Sequence, residues 1–548
     1  MNLPRSREGT TAVSYPIELE PLPGEAVIAV DPSDAQTEVH GKSATRVIRS
    51  VGLNTIYQIG SQVAPAVAAL ASIPFLLRHL GPDAFGIVTI FSAALVYFMM
   101  LDLGLGRAAT RFIAQSLEAG QPDDVRRYFW GSIILLTSIG VIVTITCLFA
   151  VPTIVSKWLK IPVHYSRAAS ESFYILFITI PLLTLISTLR GFLEAWGRFP
   201  FISIVTGCSG VALYLLPVLA VLMGGGIVGI AISYALVRVS VCAAFAIGCL
   251  GTEGRPSLRP IFDLNAVRRM LSFGGWLSVS NVIGSAMSYG DRFLLGAFVG
   301  MSAVASYGMP LDVISKVQIL ITSFCAVLFP LMSRLDESGS AQFHTVYRGA
   351  VATGLALMTP LAVAAVLTAP FLMKLWLGAR NTLDTVFVAQ VFLAGAVVQA
   401  LASIAFTALH ARGRSDLTAW VHIAELPVYC AAFYWAATRF GVRGAVLVWL
   451  ARAIVDFSSM AMLLRLHNRR GGLATPPELI AAIVSLSLLL IVVLPPRQAW
   501  IAAAILCTLT WLWTWRTLLD PAMRMPLARA MFGRRDPAAI DAIPDDRG

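Results

Sequence analysis

Charge is what this chain has least of. Only 13% of its 548 residues are Asp, Glu, Lys or Arg, against about 25% in ordinary soluble domains, while 57% are hydrophobic. Mean hydropathy is +0.76, which excludes an ordinary soluble globular protein. No signal peptide is visible. Residues 1–45 are polar, carry Pro21, Pro23 and Pro32, and are expected to form a disordered cytoplasmic arm. The seven cysteines sit in or beside apolar runs, spaced for neither a zinc site nor a disulfide framework, and read as small core hydrophobes.

Familiar chemistry is missing too. There is no phosphate loop of the Gly-x-x-x-x-Gly-Lys-Ser/Thr type, no His-Glu-x-x-His and no nucleophile elbow. Gly224-Gly225-Gly226 reads as a turn, and Asp123-Asp124 and Asp545-Asp546 as solvated charge. No loop between apolar runs much exceeds about two dozen residues, too short for a catalytic domain. No catalytic residue, metal ligand or cofactor is expected.

What is there is apolar and long. From Gly52 to Gln115 two runs of about 20 residues flank a tight turn, Arg78-His79-Leu80-Gly81-Pro82-Asp83-Ala84-Phe85-Gly86. Each run can cross a hydrocarbon core of about 30 Å, so the stretch reads as a membrane hairpin. The same logic gives about fourteen spans, near 52–77, 84–104, 128–151, 171–189, 200–222, 226–249, 271–290, 310–332, 348–373, 385–409, 417–437, 441–463, 477–495 and 498–519. The fold class is therefore an all-α polytopic membrane protein.

With the N-terminus placed in the cytoplasm, inside segments hold about 28 of the 41 Lys and Arg, outside loops about 10 and spans about three. The +11 net charge is then a topology device and a surface for anionic lipid, with no nucleic-acid partner implied. Trp511, Trp513 and Trp515 beside Arg516 read as an interfacial anchor.

The chain also matches itself at a spacing of about 216 residues. Leu193-Glu194-Ala195-Trp196-Gly197-Arg198 matches Leu409-His410-Ala411-Arg412-Gly413-Arg414. Gly226-Ile227-Val228-Gly229 matches Gly441-Val442-Arg443-Gly444, and Phe293-Leu294-Leu295 before Gly300 weakly matches Phe75-Leu76-Leu77 before Gly81. The offset carries six spans, so the two copies run parallel, as in many secondary transporters. The expected organisation is an arm (1–45), a first lobe (46–250), a second lobe (251–470), two further spans (471–520) and a cytoplasmic tail (521–548).

Polar groups inside spans mark packing, a cavity or a site. Asn54, Gln58, Ser61 and Gln62 share one face of span 1; Ser278, Asn281, Ser285 and Ser288 share one face of span 7. Either face serves as interhelical glue or lines a wet cavity. Arg238 and Arg452 fall near the middles of spans 6 and 12, and Lys316 about two turns into span 8. Asp312 precedes Lys316 by four and Arg452 precedes Asp456 by four, so these are either two internal ion pairs or cations that attract a diphosphate. Arg238 has no acid within four residues, and Tyr234 one turn earlier is available for sugar stacking or plain packing. Glu425 with His422 in span 11 either carries a coupling ion, together with Asp456 and Asp312, or is neutral or paired. Asp102 and Asp291-Arg292 read as span-end residues.

Several of these stretches resemble one family. They are Asn54; Pro74 with Leu77-Arg78-His79-Leu80-Gly81; Phe85-Gly86; Asp102-Leu103-Gly104-Leu105-Gly106 with Arg111; Gly191-Phe192-Leu193-Glu194 with Arg198; Asp291-Arg292-Phe293-Leu294-Leu295-Gly296 with Tyr307; and Phe329-Pro330. Over roughly residues 50–465 the chain resembles the bacterial oligosaccharide-lipid (O-unit) flippases, polysaccharide biosynthesis transporters of the multidrug/oligosaccharidyl-lipid/polysaccharide exporter superfamily. The resemblance implies an inner-membrane protein with twelve core spans in two lobes. It implies movement of undecaprenyl-diphosphate-linked repeat units by alternating access, with ion exchange, for surface polysaccharide or lipopolysaccharide synthesis. A polysaccharide polymerase and glycosyltransferases would be partners. The long arm departs from the family's short start. Rival readings are a multidrug or peptidoglycan-precursor exporter on the same fold, and a membrane-embedded polymerase or ligase.

Overall fold

A backbone in hydrocarbon must satisfy its own polar groups, and the described part of this chain does so with helices. The computed structural model describes residues 60–99, 105–251, 260–337, 342–466 and 477–519, with no strand among them. All belong to one unit, Tyr57–Gly548. The first half holds α1 (Gly60–Leu80), α2 (Pro82–Met99), α3 (Leu105–Glu118), α4 (Pro122–Thr153), α5 (Val163–Ile178), α6 (Ile180–Ala195), α7 (Phe199–Leu222) and α8 (Gly226–Leu250). The second holds α9 (Leu264–Phe298), α10 (Met301–Val317), α11 (Ile319–Glu337), α12 (Gln342–Leu377), α13 (Leu383–Ala411) and α14 (Ser415–Leu466). Then come α15 (Pro477–Val493) and α16 (Pro496–Leu519).

Within the described residues, each expected span overlaps helix. Nine helical stretches among the described residues are long and apolar enough to cross a membrane, ten if α10 and α11 count as one bent span. Two expected spans hide in α14, a 52-residue run that turns back at Gly441 (φ 60, ψ −143). Span 4 is α5 and α6, broken at Thr179 just before Pro181.

Two of the matched stretches also match in backbone conformation. After α6, Gly197 takes φ 68 and after α13, Gly413 takes φ 68. In both turns the amide three residues past the helix bonds back five residues, Arg198 to the Leu193 carbonyl and Arg414 to the Leu409 carbonyl, each at 3.0 Å. This is the left-handed helix stop that glycine adopts at least cost. Gly226 (φ 53) and Gly441 (φ 60) match in the same way.

The packing divides unevenly along the helices. At the end carrying the Gly81 turn, here the hairpin face, one hydrophobic cluster spans both halves, from Leu77, Phe91 and Phe173 to Tyr307, Phe392 and Phe433. At the opposite face there are two clusters. One belongs to the first half, around Phe129, Phe192 and Phe245, and takes in the first turns of α9 at Ala266, Val267 and Met270. The other belongs to the second half with α15 and α16, around Phe343, Leu401 and Phe457. The halves are fastened at the hairpin face: Trp376 Nε1 donates to the Leu70 carbonyl at 2.7 Å, and Lys160 Nζ to the Phe298 carbonyl at 2.6 Å. The α2 and α10 backbones meet where Gly86 abuts Met301 and Gly308 abuts Thr89, with no room for a Cβ.

Candidate functional site: two joined cavities

Where the shared cluster ends, the halves part around a cavity of about 520 Å³. The first half lines it with Pro65 and Ser92, with Tyr214 of α7, and with Tyr234 and Arg238 of α8. The second half contributes Tyr289 and Arg292 of α9, Asp312 and Lys316 of α10, and Arg452 of α14. All three cations singled out in the sequence thus face one space. Arg238, 5% exposed, donates from Nη1 to the Thr179 hydroxyl at the α5–α6 break. Tyr234 is buried, with its hydroxyl 3.3 Å from that of Ser92.

The two internal ion pairs offered by the i, i+4 spacing do not form. Asp312 is taken by Arg292, Nη2 to Oδ1 at 2.6 Å, so Lys316 has no ion-pair partner among the described residues. Asp456 is taken by His422, Nε2 to Oδ1 at 3.2 Å, without the alignment of a hydrogen bond. Arg452 instead donates from Nη1 to the Met287 carbonyl at 2.7 Å and lies 5.2 Å from the centre of the Tyr429 ring. Spacing put the charges on one helical face, but neighbouring helices offered better-placed partners.

Asp291 and Arg292 are not span-end residues. They are 1% and 3% exposed, and α9 continues two turns beyond them to Phe298. Tyr307 and Tyr429 both donate to Asp291, to Oδ2 and Oδ1 respectively, each at 2.6 Å. Buried charge survives only when compensated in this way. The network ties α9, α10 and α14 together directly behind the cavity wall. The available signal was the two turns of apolar sequence after Arg292.

A second cavity, about 390 Å³, lies between α9, α11, α13 and α14 of the second half. Gln399 and Arg452 line both cavities, so the two adjoin. His422 and Asp456 face the second cavity. Glu425 has Asp456, His422 and Arg452 as charged neighbours, and both its carboxylate oxygens are buried with no hydrogen-bond partner. Gln399, Ser403 and Thr407, a stripe on one face of α13, also line it, and sequence reasoning missed them. Their steps of four were the signal.

The span 1 face is only partly within the structure. Asn54 and Gln58 lie outside the described residues. Ser61 packs against Gly207 of α7, the glue alternative, and half-buried Gln62 is not among the lining residues. The side chains of Ser278 and Asn281 lie outside the described residues. The cysteines are free, and Cys208 is exposed at the α7 surface where the others are at least partly buried.

Known proteins supply the context. The chain is 27% identical over 416 residues to a protein of Shigella flexneri named "Putative O-antigen transporter", covering 74% of this chain and 96% of that one. Two solved structures share the fold. One is a multidrug resistance transporter of the MATE family and MOP superfamily in an inward-facing conformation, with TM-score 0.64 and 17% identity, over 75% of this chain and 98% of that one. The other is the lipid II flippase MurJ in an inward closed conformation, with TM-score 0.64 and 12% identity, over 85% of this chain and all of that one. With nine described helical stretches long and apolar enough to cross a membrane, the chain is a multi-pass membrane protein with the fold of those two transporters. A family model described as "Polysaccharide biosynthesis protein" matches residues 51–336, and to that family the chain belongs.

Proposed function

We propose that this protein flips undecaprenyl-diphosphate-linked oligosaccharide units across the bacterial inner membrane for surface polysaccharide or lipopolysaccharide synthesis. The observation that carries the reading is the convergence of Arg238, Lys316 and Arg452 on one cavity, none of them ion-paired among the described residues. Membrane-embedded cations left without acids suit an anionic guest, and charge-assisted bonds to phosphate are strong. A cationic drug would be repelled, which disfavours multidrug export.

In this reading the termini are cytoplasmic and the hairpin face is periplasmic. The shared cluster seals that side and the parted clusters face the cytoplasm, so the headgroup enters from within. Alternating access exchanges which end is parted. Coupling runs through Glu425, His422 and Asp456, with Asp312 tied to Arg292 beside the cavity. Glycosyltransferases would build the substrate and a polysaccharide polymerase would consume it.

Deleting the protein should leave lipid-linked repeat units in the inner leaflet, read by leaflet-selective labelling; unpolymerised units in the outer leaflet would favour a polymerase instead. Arg238→Ala should abolish translocation at unchanged abundance. Glu425→Gln should alter the pH or sodium dependence of transport, and an unchanged dependence would remove Glu425 from coupling.

A further inference from the structure

The second cavity differs from the first in chemistry. The central one carries four cations, Arg238, Arg292, Lys316 and Arg452, against one carboxylate, Asp312, which Arg292 holds. The other carries one cation, Arg452, at the junction, and is otherwise lined by neutral polar groups, one carboxylate, one imidazole and apolar walls that include Phe406. Its free hydrogen-bonding capacity is mostly acceptor. Ser403 Oγ spends its proton on the Gln399 carbonyl at 2.9 Å, and Thr407 Oγ1 on the Ser403 carbonyl at 2.7 Å, so both hydroxyl oxygens are left with lone pairs. Asp456 is 5% exposed, and its Oδ1, 3.2 Å from His422 Nε2 but not aligned for a hydrogen bond, keeps acceptor capacity. The Gln399 side chain makes no hydrogen bond among the described residues and offers a carbonyl and two N–H.

Such a lining calls for a guest rich in O–H donors. A diphosphate has only acceptors to offer and would meet the Asp456 charge. An alkyl chain would leave the Gln399 amide and the Asp456 carboxylate facing hydrocarbon. A metal ion finds no group of three His, Cys, Asp or Glu to hold it among the described residues. A polyol fits, and about 390 Å³ lies within the usual range for small-molecule sites. The two cavities meet at Arg452 and Gln399, where a sugar joined to a phosphate would pass from one to the other.

We propose that the cleft lined by Gln399, Ser403, Thr407, His422 and Asp456 is the saccharide subsite, which selects the sugar while the central cavity holds the diphosphate. The proposal rests on the flippase reading and adds a division of the headgroup. Arg452, at the boundary, grips the phosphate next to the first sugar.

The test is equilibrium binding of two probes to the purified full chain: undecaprenyl diphosphate, and the same lipid bearing one N-acetylhexosamine. The native protein should bind the sugar-bearing probe more tightly. The double variant Ser403→Ala/Thr407→Val, which nearly preserves volume, should lose about tenfold on that probe alone, as two hydrogen bonds of about 0.7 kcal/mol each require. Arg238→Gln should weaken both probes. Ser403→Leu, which fills the cleft, should abolish the preference for sugar if the double variant does not fold. Equal weakening of both probes by the α13 variants, no effect on either, or an effect confined to the pH or sodium dependence of transport would overturn the subsite. If the native protein binds neither probe, the flippase reading falls and the subsite with it.

Discussion

The two halves share a backbone plan and divide the chemistry unequally. Both stop a helix on a glycine at φ 68 and start another on a left-handed glycine. Among the cavity-lining residues of the first half, however, Arg238 is the only charge, held by a threonine hydroxyl. The second half carries Asp291, Arg292, Asp312, Lys316, His422, Glu425, Arg452 and Asp456 in or beside its two cavities. The matched stretches thus share the turns that set helix direction and differ in the side chains that face the cavities. The first half serves mainly as a wall with one cation, and the second holds the polar machinery.

The largest effect should come from the part that only one half has. Asp291→Leu leaves two tyrosine hydroxyls unbonded and takes a buried negative charge away from Arg292 and Arg452. A loss of about 3–5 kcal/mol is expected, read as a large fall in melting temperature in detergent. Tyr429→Phe removes one of the two hydrogen bonds to that carboxylate and should cost about 1–3 kcal/mol by the same measurement. The shared plan is tested by Gly197→Ala and Gly413→Ala, each forced into a left-handed conformation. Each should cost about 1–2 kcal/mol, and nearly equally; unequal costs would weaken the equivalence of the two turns. The smallest effect should be Trp376→Phe, which removes one bond between the halves. About 1 kcal/mol is at stake, visible as faster protease nicking or labelling at the hairpin face.

Helix positions were legible because long apolar runs in a membrane leave the backbone one solution. The three cations were legible for a related reason: a charge placed in a span has to face something polar. Their partners were not. The spacing Asp312–Lys316 is as good on paper as any, yet Arg292 reaches Asp312 from a separate helix, and sequence distance carries no information about that approach. Asp291 looked terminal because the expected span stopped near 290, whereas α9 runs to Phe298. The α13 stripe passed unnoticed because Ser and Thr in apolar helices are common and usually bond their own turn, as Ser403 and Thr407 do.

In the alternating-access reading proposed above, the single cluster at one end and the paired clusters at the other make the two motions energetically unlike. Closing the parted end brings together surfaces that were never joined. Opening the fastened end must tear a continuous apolar mass that includes Phe91, Tyr307 and Phe392 and break the Trp376 and Lys160 clasps. On that reading an empty protein should rest in the conformation seen here, and the binding energy of the passenger together with that of the coupled ion supplies the strain that opens the other door.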